Sequence, residues 1–155
     1  MGHLDNTKRL FDQTAENYDE SQAGKFTSKM YKEFLRRLEG KTGKILDVGC
    51  GTGNVLLQLA GEGRELYGAD ISENMVRVAR EKLGTNASIA VANVEKLPFD
   101  STFFDILICN ASFHHYPSPE KALAEMNRVL KPNGQLVIGE GYAVQPFRMF
   151  LNLSK

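Results

Sequence analysis

The chain has no surplus charge, almost no cysteine and no long apolar run. Its 155 residues carry 19 basic and 19 acidic side chains, so the formal net charge is zero. A neutral balance argues against general nucleic-acid binding, which needs a basic face to meet phosphates. Lys29, Lys32, Arg36 and Arg37 do cluster, but at their spacing they read as a solvated helix face. No stretch is long and apolar enough to span a bilayer. No apolar signal core follows Met1, and Asn6 breaks the myristoylation pattern that Gly2 would begin. The two cysteines, Cys50 and Cys109, each close a predicted strand. They make no disulfide framework, and the expectation is two reduced thiols in a cytoplasmic protein. No catalytic triad stands out, no set of metal ligands assembles, and there is neither an internal repeat nor a low-complexity segment. What remains is ordinary for a globular chain: 42% hydrophobic and 25% charged residues, at a length that suits one domain.

Against this background one segment is informative. Residues 45–53 read Ile-Leu-Asp-Val-Gly-Cys-Gly-Thr-Gly. A short apolar run suits a buried parallel strand. Gly49, Gly51 and Gly53 then let the backbone turn sharply and approach a ligand closely. The helix expected over 54–60 would aim its first N–H groups back at that turn. This has the form of a nucleotide-type grip, and the question is which cofactor it takes.

The first forty residues look helical. Phe26, Met30, Phe34 and Leu38 recur every four residues, with Tyr31 and Leu35 beside them and Gly40 as a stop. From Lys44 the pattern alternates strand and helix. Strands are expected at 45–48, 65–69, 88–92, 104–109 and 135–139. Ser72 should cap the helix after the second strand, and Ser118 with Pro119 the helix after the fourth. Lys131-Pro132-Asn133-Gly134 reads as the turn into the fifth strand. Five strands with intervening helices make an α/β fold with a doubly wound parallel sheet.

The glycine segment, Asp70 after the second strand and the run Phe104-Asp105-Ile106-Leu107-Ile108-Cys109-Asn110 together resemble the class I S-adenosylmethionine-dependent methyltransferases. Residues 93–99, Asn-Val-Glu-Lys-Leu-Pro-Phe, are similar to that family's third-strand loop. His114-His115, the stretch from Pro119 to Gly134, and the opening Leu10-Phe11-Asp12 with Ala15-Glu16-Asn17-Tyr18-Asp19 resemble its type 11 subgroup, typified by ubiquinone/menaquinone-biosynthesis methyltransferases. The resemblance covers nearly the whole chain. It implies a Rossmann-like sheet of order 3-2-1-4-5, a helical cap over 1–40, a cofactor core over 41–140 and methyl transfer from S-adenosylmethionine to a small-molecule acceptor. Amino-directed nucleic-acid methyltransferases of this fold carry Asn/Asp-Pro-Pro-Tyr/Phe after the fourth strand. Here Asn110-Ala111-Ser112-Phe113 stands instead, and no cysteine follows a proline as in cytosine-C5 enzymes.

The glycine spacing supports the same cofactor. A dinucleotide site uses G-x-G-x-x-G with a small last residue. This chain has G-x-G-x-G, with Asn54 at the sixth place. A nicotinamide-dependent oxidoreductase is therefore the lesser alternative, and no catalytic Tyr-Lys pair supports it. By the resemblance, Asp47, Gly49, Cys50, Gly51 and Gly53 hold the amino-acid end of the cofactor. Asp70 takes both ribose hydroxyls, Ile71 packs on the adenine, Asn93 and Val94 meet the adenine edge, and Asn110 meets the ammonium. Four of these have a plainer alternative: Asp47 a strand-end acid bonded to loop amides, Asp70 a helix N-cap, Ile71 core, Asn93 a loop residue. Asn93 also departs from the family's usual Asp and would make a weaker, uncharged bond. His114, His115 and Tyr18 are the candidates for a catalytic part: one of the histidines as a base or wall beside the acceptor, and Tyr18 closing over the cofactor. Adjacent histidines in an extended loop usually point apart, and Tyr18 could equally anchor the cap.

The family usually continues past the fifth strand with a helix and an antiparallel strand pair. This chain stops at Lys155. Phe147, Phe150 and Leu151 suggest that 146–153 begin that helix. Two expectations follow. The fold would lack the usual last antiparallel strands, leaving the fifth strand a bare apolar edge that invites a homodimer or an element swap. A shortened acceptor side could also leave a cofactor-binding domain without transfer activity.

Overall fold

The computed structural model describes residues 3–61, 63–141 and 148–154. The elements are α1 (His3–Thr14), a 3-10 segment (Ala15–Glu20), α2 (Gln22–Ser28), α3 (Tyr31–Arg37), β1 (Gly43–Val48), α4 (Asn54–Leu59) and β2 (Arg64–Asp70). They continue with α5 (Glu73–Leu83), β3 (Ala87–Val91), β4 (Phe104–Asn110), a 3-10 turn (Phe113–His115), α6 (Pro119–Val129), β5 (Leu130–Gly141) and β6 (Arg148–Ser154). They build one sheet of order β3-β2-β1-β4-β5-β6. The pairs among β1 to β5 are parallel, in the expected order, and β6 is antiparallel to β5.

Alternation along the central strands sends side chains into two cores, as the pleat requires. Ile45, Ile106 and Ile108 face Phe34, Leu56, Leu59, Val76 and Ala79 on one side. Leu46, Val48, Leu107 and Cys109 face Ala122, Met126 and Val129 of α6 on the other. Burial on both faces is why β1 and β4 read as continuous apolar runs. The strand order reverses between β1 and β4, which opens a crevice beyond their carboxyl ends.

The structure departs from the sequence expectations in three places. The single helix expected across Phe26 to Leu38 is broken at Lys29-Met30 into α2 and α3. The break turns Met30, Phe34 and Leu38 inward, while Phe26 packs beside Gly141. The turn expected at 131–134 lies inside β5 as an irregularity: the pairing jumps from Phe104↔Leu130 to Ile106↔Gln135, and Asn133 takes φ 63.

The third departure concerns the C-terminal segment. The expected helix over 146–153 is not formed at 148–154, where the chain instead runs antiparallel to β5, from Gly141↔Arg148 to Gln135↔Ser154. Residues 146 and 147 lie outside the described residues. An apolar strand edge gains hydrogen-bond partners from an extended neighbour, and a helix would leave it bare. The fold therefore has one antiparallel strand where none was expected. The bare edge that motivated an element swap is covered by the chain itself.

Candidate active site

The crevice begins at the glycine turn. Gly49, Gly51 and Gly53 all have positive φ, at 74°, 52° and 81°. At Gly49 a Cβ would lie 2.3 Å from the Ser112 hydroxyl oxygen, so glycine is needed for space as well as for conformation. Around Gly51 nothing lies within 4 Å of such an atom, which leaves open space in front of the backbone. The turn is tied to β2 by Gly49 and Cys50, whose N–H groups donate to the Ala69 carbonyl at 2.8 and 3.1 Å.

Asp70 ends β2 and serves the same turn. Its Oδ2 accepts from Gly51 N at 2.9 Å and its Oδ1 from Ser72 N at 2.9 Å. Each oxygen retains a lone pair, and the residue lines the crevice. Burial pushes its pKa up, and its backbone hydrogen bonds only partly offset this. The helix cap is Ser72, whose side chain accepts from Met75 N, so Asp70 is left for the crevice.

The crevice is partly open to solvent and lies beyond the carboxyl ends of the strands, where such sheets bind ligands. Gly49, Gly51, Asp70, Ile71, Asn93, Val94 and Asn110 all line it, together with Tyr18 and His115. An adjoining recess contains Asp47 and Cys50 and shares Tyr18, Gly49, Gly51 and Asn110 with the main cavity. Gly53 and His114 line neither space. Gly53 sits one step back, against Leu83 and Ala79 of α5. His114 bonds Glu140 and its side chain is 53% exposed. Asn93 spends part of its carbonyl on Glu95 N at 2.9 Å, which makes it a loop-shaping residue as well as a wall.

Two atoms point to the ligand. Asp47 Oδ1 and Asn110 Oδ1 are buried and have no hydrogen-bond partner. Asp47 is 1% exposed, and burial, then the charge of Asp70, pushes its pKa up to about 8. Unpaired buried acceptors are costly, so both call for a donor. An ammonium answers that demand, and the two carboxylate oxygens of Asp70 answer a pair of hydroxyls. S-adenosylmethionine offers both groups, so the residues fit it.

Several residues of the site were not anticipated from sequence. Ser112 and Tyr116 donate to the Val48 carbonyl at 3.0 and 3.2 Å and hold the loop after β4 against the glycine turn. Asp12 accepts from the Ser72 hydroxyl at 2.6 Å and from Asn74 N at 3.3 Å. Asp19 accepts from Thr52 at 2.6 Å and Asn54 at 2.8 Å, and pairs with Lys82. These carboxylates strap the N-terminal cap over the crevice, where Phe11 and Tyr18 join its wall. Their signal in the sequence was the opening motif itself, where Asp12 and Asp19 stand seven residues apart. Glu140 could have been noticed as an acid closing the apolar run Leu136-Val137-Ile138-Gly139.

Both cysteines are buried and free. Burial pushes the Cys109 thiol up to about 12 and the Cys50 thiol well above its usual range. Such thiols are inert packing, which leaves Cys50 to act through its backbone. Among the described residues no group of three or more His, Cys, Asp or Glu could hold a metal ion. No helix among them is long and apolar enough to cross a membrane.

A doubly wound sheet with a glycine turn, an acid closing β2 and an ammonium-ready recess defines a nucleoside-cofactor protein of the methyltransferase class. Comparison with known proteins agrees. Residues 46–138 match the family described as "Methyltransferase domain". A curated demethylmenaquinone methyltransferase of Symbiobacterium thermophilum is 34% identical over 158 residues, covering 93% of this chain and 61% of that protein. A ubiquinone/menaquinone biosynthesis C-methyltransferase UbiE of Yersinia pestis is 41% identical over 105 residues, covering 63% and 42%. The crystal structure of a SAM-dependent methyltransferase from Aquifex aeolicus superposes with a TM-score of 0.66 at 28% identity, covering 75% of this chain and 68% of that one. This chain belongs to the methyltransferase-domain family, as a class I S-adenosylmethionine-dependent member of the UbiE-like type. It spans 61% and 42% of the two curated relatives.

Proposed function

We propose that this chain binds S-adenosylmethionine along the β1–β4 crevice and catalyses transfer of its methyl group to a small-molecule acceptor, a hydroxy-aromatic of quinone type. The observation that carries the cofactor half is the pair of buried, unpartnered oxygens on Asp47 and Asn110, beside the open face of Gly51. The relatives named for demethylmenaquinone and for ubiquinone/menaquinone biosynthesis support the acceptor class.

When bound, S-adenosylmethionine supplies an electrophilic methyl on a sulfonium. The protein then has to bind, align and exclude water, and it needs neither a nucleophile nor a metal of its own. Asp47 and Asn110 accept from the ammonium. The backbone of Gly49, Cys50 and Gly51 receives the amino-acid end, and Gly53 sets the helix behind it. Asp70 takes the ribose hydroxyls through the lone pairs its two amide bonds leave over. Ile71, Val94 and Met75 offer apolar surface to the base, with Asn93 at its edge. Tyr18 and Phe11, on the strapped cap, close the crevice. Alignment of this kind can supply about 7–11 kcal/mol of a barrier. Reduced, buried Cys50 and Cys109 suit a cytoplasmic setting.

Calorimetric titration tests the cofactor half. S-adenosylmethionine and S-adenosylhomocysteine should bind, and NADH should not. No heat at millimolar S-adenosylmethionine would overturn the assignment. Incubation with labelled cofactor and a reduced naphthoquinone tests the acceptor.

A further inference from the structure

The histidine turn is held far more firmly than a surface loop needs. Glu140 closes β5 and is 8% exposed. Both its oxygens serve this one turn: Oε1 accepts from Phe113 N at 2.8 Å, and Oε2 lies 2.7 Å from His114 Nδ1. A buried carboxylate is costly unless bonded, and here its bonds are spent on one backbone amide and one imidazole of the same turn. The partner on Nδ1 fixes the orientation of the His114 ring. That ring lies against His115, with centroids 4.0 Å apart. On its other side His115 meets Phe11 of the cap edge-to-face at 5.2 Å. His115 itself lines the main cavity, and His114 does not. Phe11 continues edge-to-face to Tyr18 at 6.1 Å, so the cavity wall on this side is a chain of flat rings. Such rings suit a flat aromatic guest.

We infer that His115 is the proton acceptor for a hydroxy-aromatic methyl acceptor, and that the buried Glu140–His114 pair is the positioning device that holds it on the cavity wall. The identity of the guest rests on the methyl-transfer reading above. The acceptor's O–H proton passes to a ring nitrogen of His115. The bonding pair stays on the acceptor oxygen, which makes the guest a better nucleophile. The imidazolium returns the proton to solvent through the open side of the cavity. His115 is the catalytic residue of this step, and Glu140 and His114 act only through it.

The test reads proton transfer without turnover. The whole chain, loaded with S-adenosylhomocysteine, is titrated with 4-nitrophenol below the probe's own pKa, where free probe is colourless and its phenolate absorbs in the visible. Wild type should bind the probe and show the phenolate band. His115→Phe keeps a flat ring beside Phe11, so it should bind the probe within about threefold and lose the band about tenfold. Glu140→Gln keeps the shape of the acid but not its charge. It should retain probe and S-adenosylhomocysteine binding while the band weakens severalfold, a split that a merely structural role would not give. A band that survives His115→Phe, or a wild type that binds no probe or gives no band, overturns the inference. Because the probe needs no methyl donor, the same titration on the cofactor-free chain scores this inference even if S-adenosylmethionine fails to bind.

Discussion

Asp47 makes the binding of the cofactor a proton-release reaction. Its carboxyl is 1% exposed, and burial, with the nearby charge of Asp70, pushes its pKa up to about 8 from 3.8. At about pH 7 it is therefore roughly nine-tenths protonated before the ligand arrives. An ammonium is best met by the ionised form, so binding should expel close to one proton. Below pKa 8 the affinity should then climb up to about tenfold per pH unit. A free α-amino group titrates at about 7.7–8.0, so the climb should end near that pH and reverse above it. From about pH 6 to about pH 7 the Kd of S-adenosylmethionine should fall about tenfold. Calorimetry at about pH 7 in phosphate and in Tris, whose ionisation heats differ, reads the released proton directly. Equal heats in the two buffers, with a Kd flat over that unit of pH, would refute the reasoning.

The same carboxyl governs the ligand-free protein with a definite sign. The pKa is raised in the fold, so the folded state holds a proton that the unfolded state gives up. Stability of the free chain should fall as pH rises from 3.8 towards about 8 and level off beyond it. Asp47→Asn has no such carboxyl. It should raise the melting temperature of the free chain above about pH 5 and flatten its pH dependence, while weakening cofactor binding. A variant less stable than wild type near neutrality would show that Asp47 is satisfied in some other way.

Three further outcomes follow from the site. Gly49→Ala puts a Cβ 2.3 Å from Ser112 Oγ at φ 74. The strained φ alone costs about 1–3 kcal/mol, so thermal melting should drop by several degrees, and an unchanged midpoint would contradict the geometry. Asp70→Asn keeps a carbonyl for one of the two amides but turns an NH₂ toward the other and loses the charge. At about 1.5–3 kcal/mol for a charged hydrogen bond, S-adenosylmethionine should bind about 10–100-fold more weakly, as read by titration. Asp19→Ala removes the strap to Thr52, Asn54 and Lys82, so hydrogen exchange should quicken across α1 and α2 while the sheet stays protected. Burial alone would raise the pKa of Asp19, but Lys82, Thr52 and Asn54 bring it below the usual range. This strap is therefore present above the ordinary carboxylate pKa and is lost as pH falls below it.

What was legible in the sequence follows the reach of its signals. The parallel core could be read because β1 and β4 are apolar on both faces, and because Gly49, Gly51 and Gly53 announce a turn that few other residues permit. Asp70, Ile71, Val94 and Asn110 line the cavity because each closes or follows a strand at the carboxyl edge. The C-terminal strand was misread because Phe147, Phe150 and Leu151 carry helical spacing over too short a run to exclude a strand. Hydrogen bonding to the edge of β5 decided it, and the paired residues lie 7 to 19 positions apart in the chain. The cap was misread for a related reason: a four-residue repeat survives a break at Lys29-Met30 that keeps Met30, Phe34 and Leu38 buried. Asp12, Asp19, Ser112 and Glu140 act across gaps of 26 to 64 residues, and no local pattern marks such polar ties.

Those ties also separate the polar groups that shape the cavity from the ones that wait for a ligand. Ser112 and Tyr116 are spent on the Val48 carbonyl, Asp12 and Asp19 on the cap, Glu140 on the histidine turn. Asp70 is half spent, with one backbone amide on each oxygen. Among the described residues, only Asp47 and Asn110 present a buried oxygen beside the crevice that is short of a partner. Replacing a spent group should move walls and lower stability together with binding. Replacing Asp47 should do the reverse, raising the stability of the free chain while binding falls. That opposition of sign, measured on one variant by melting and by titration, distinguishes a ligand-facing carboxylate from one whose hydrogen bonds hold the fold, because losing those bonds costs stability.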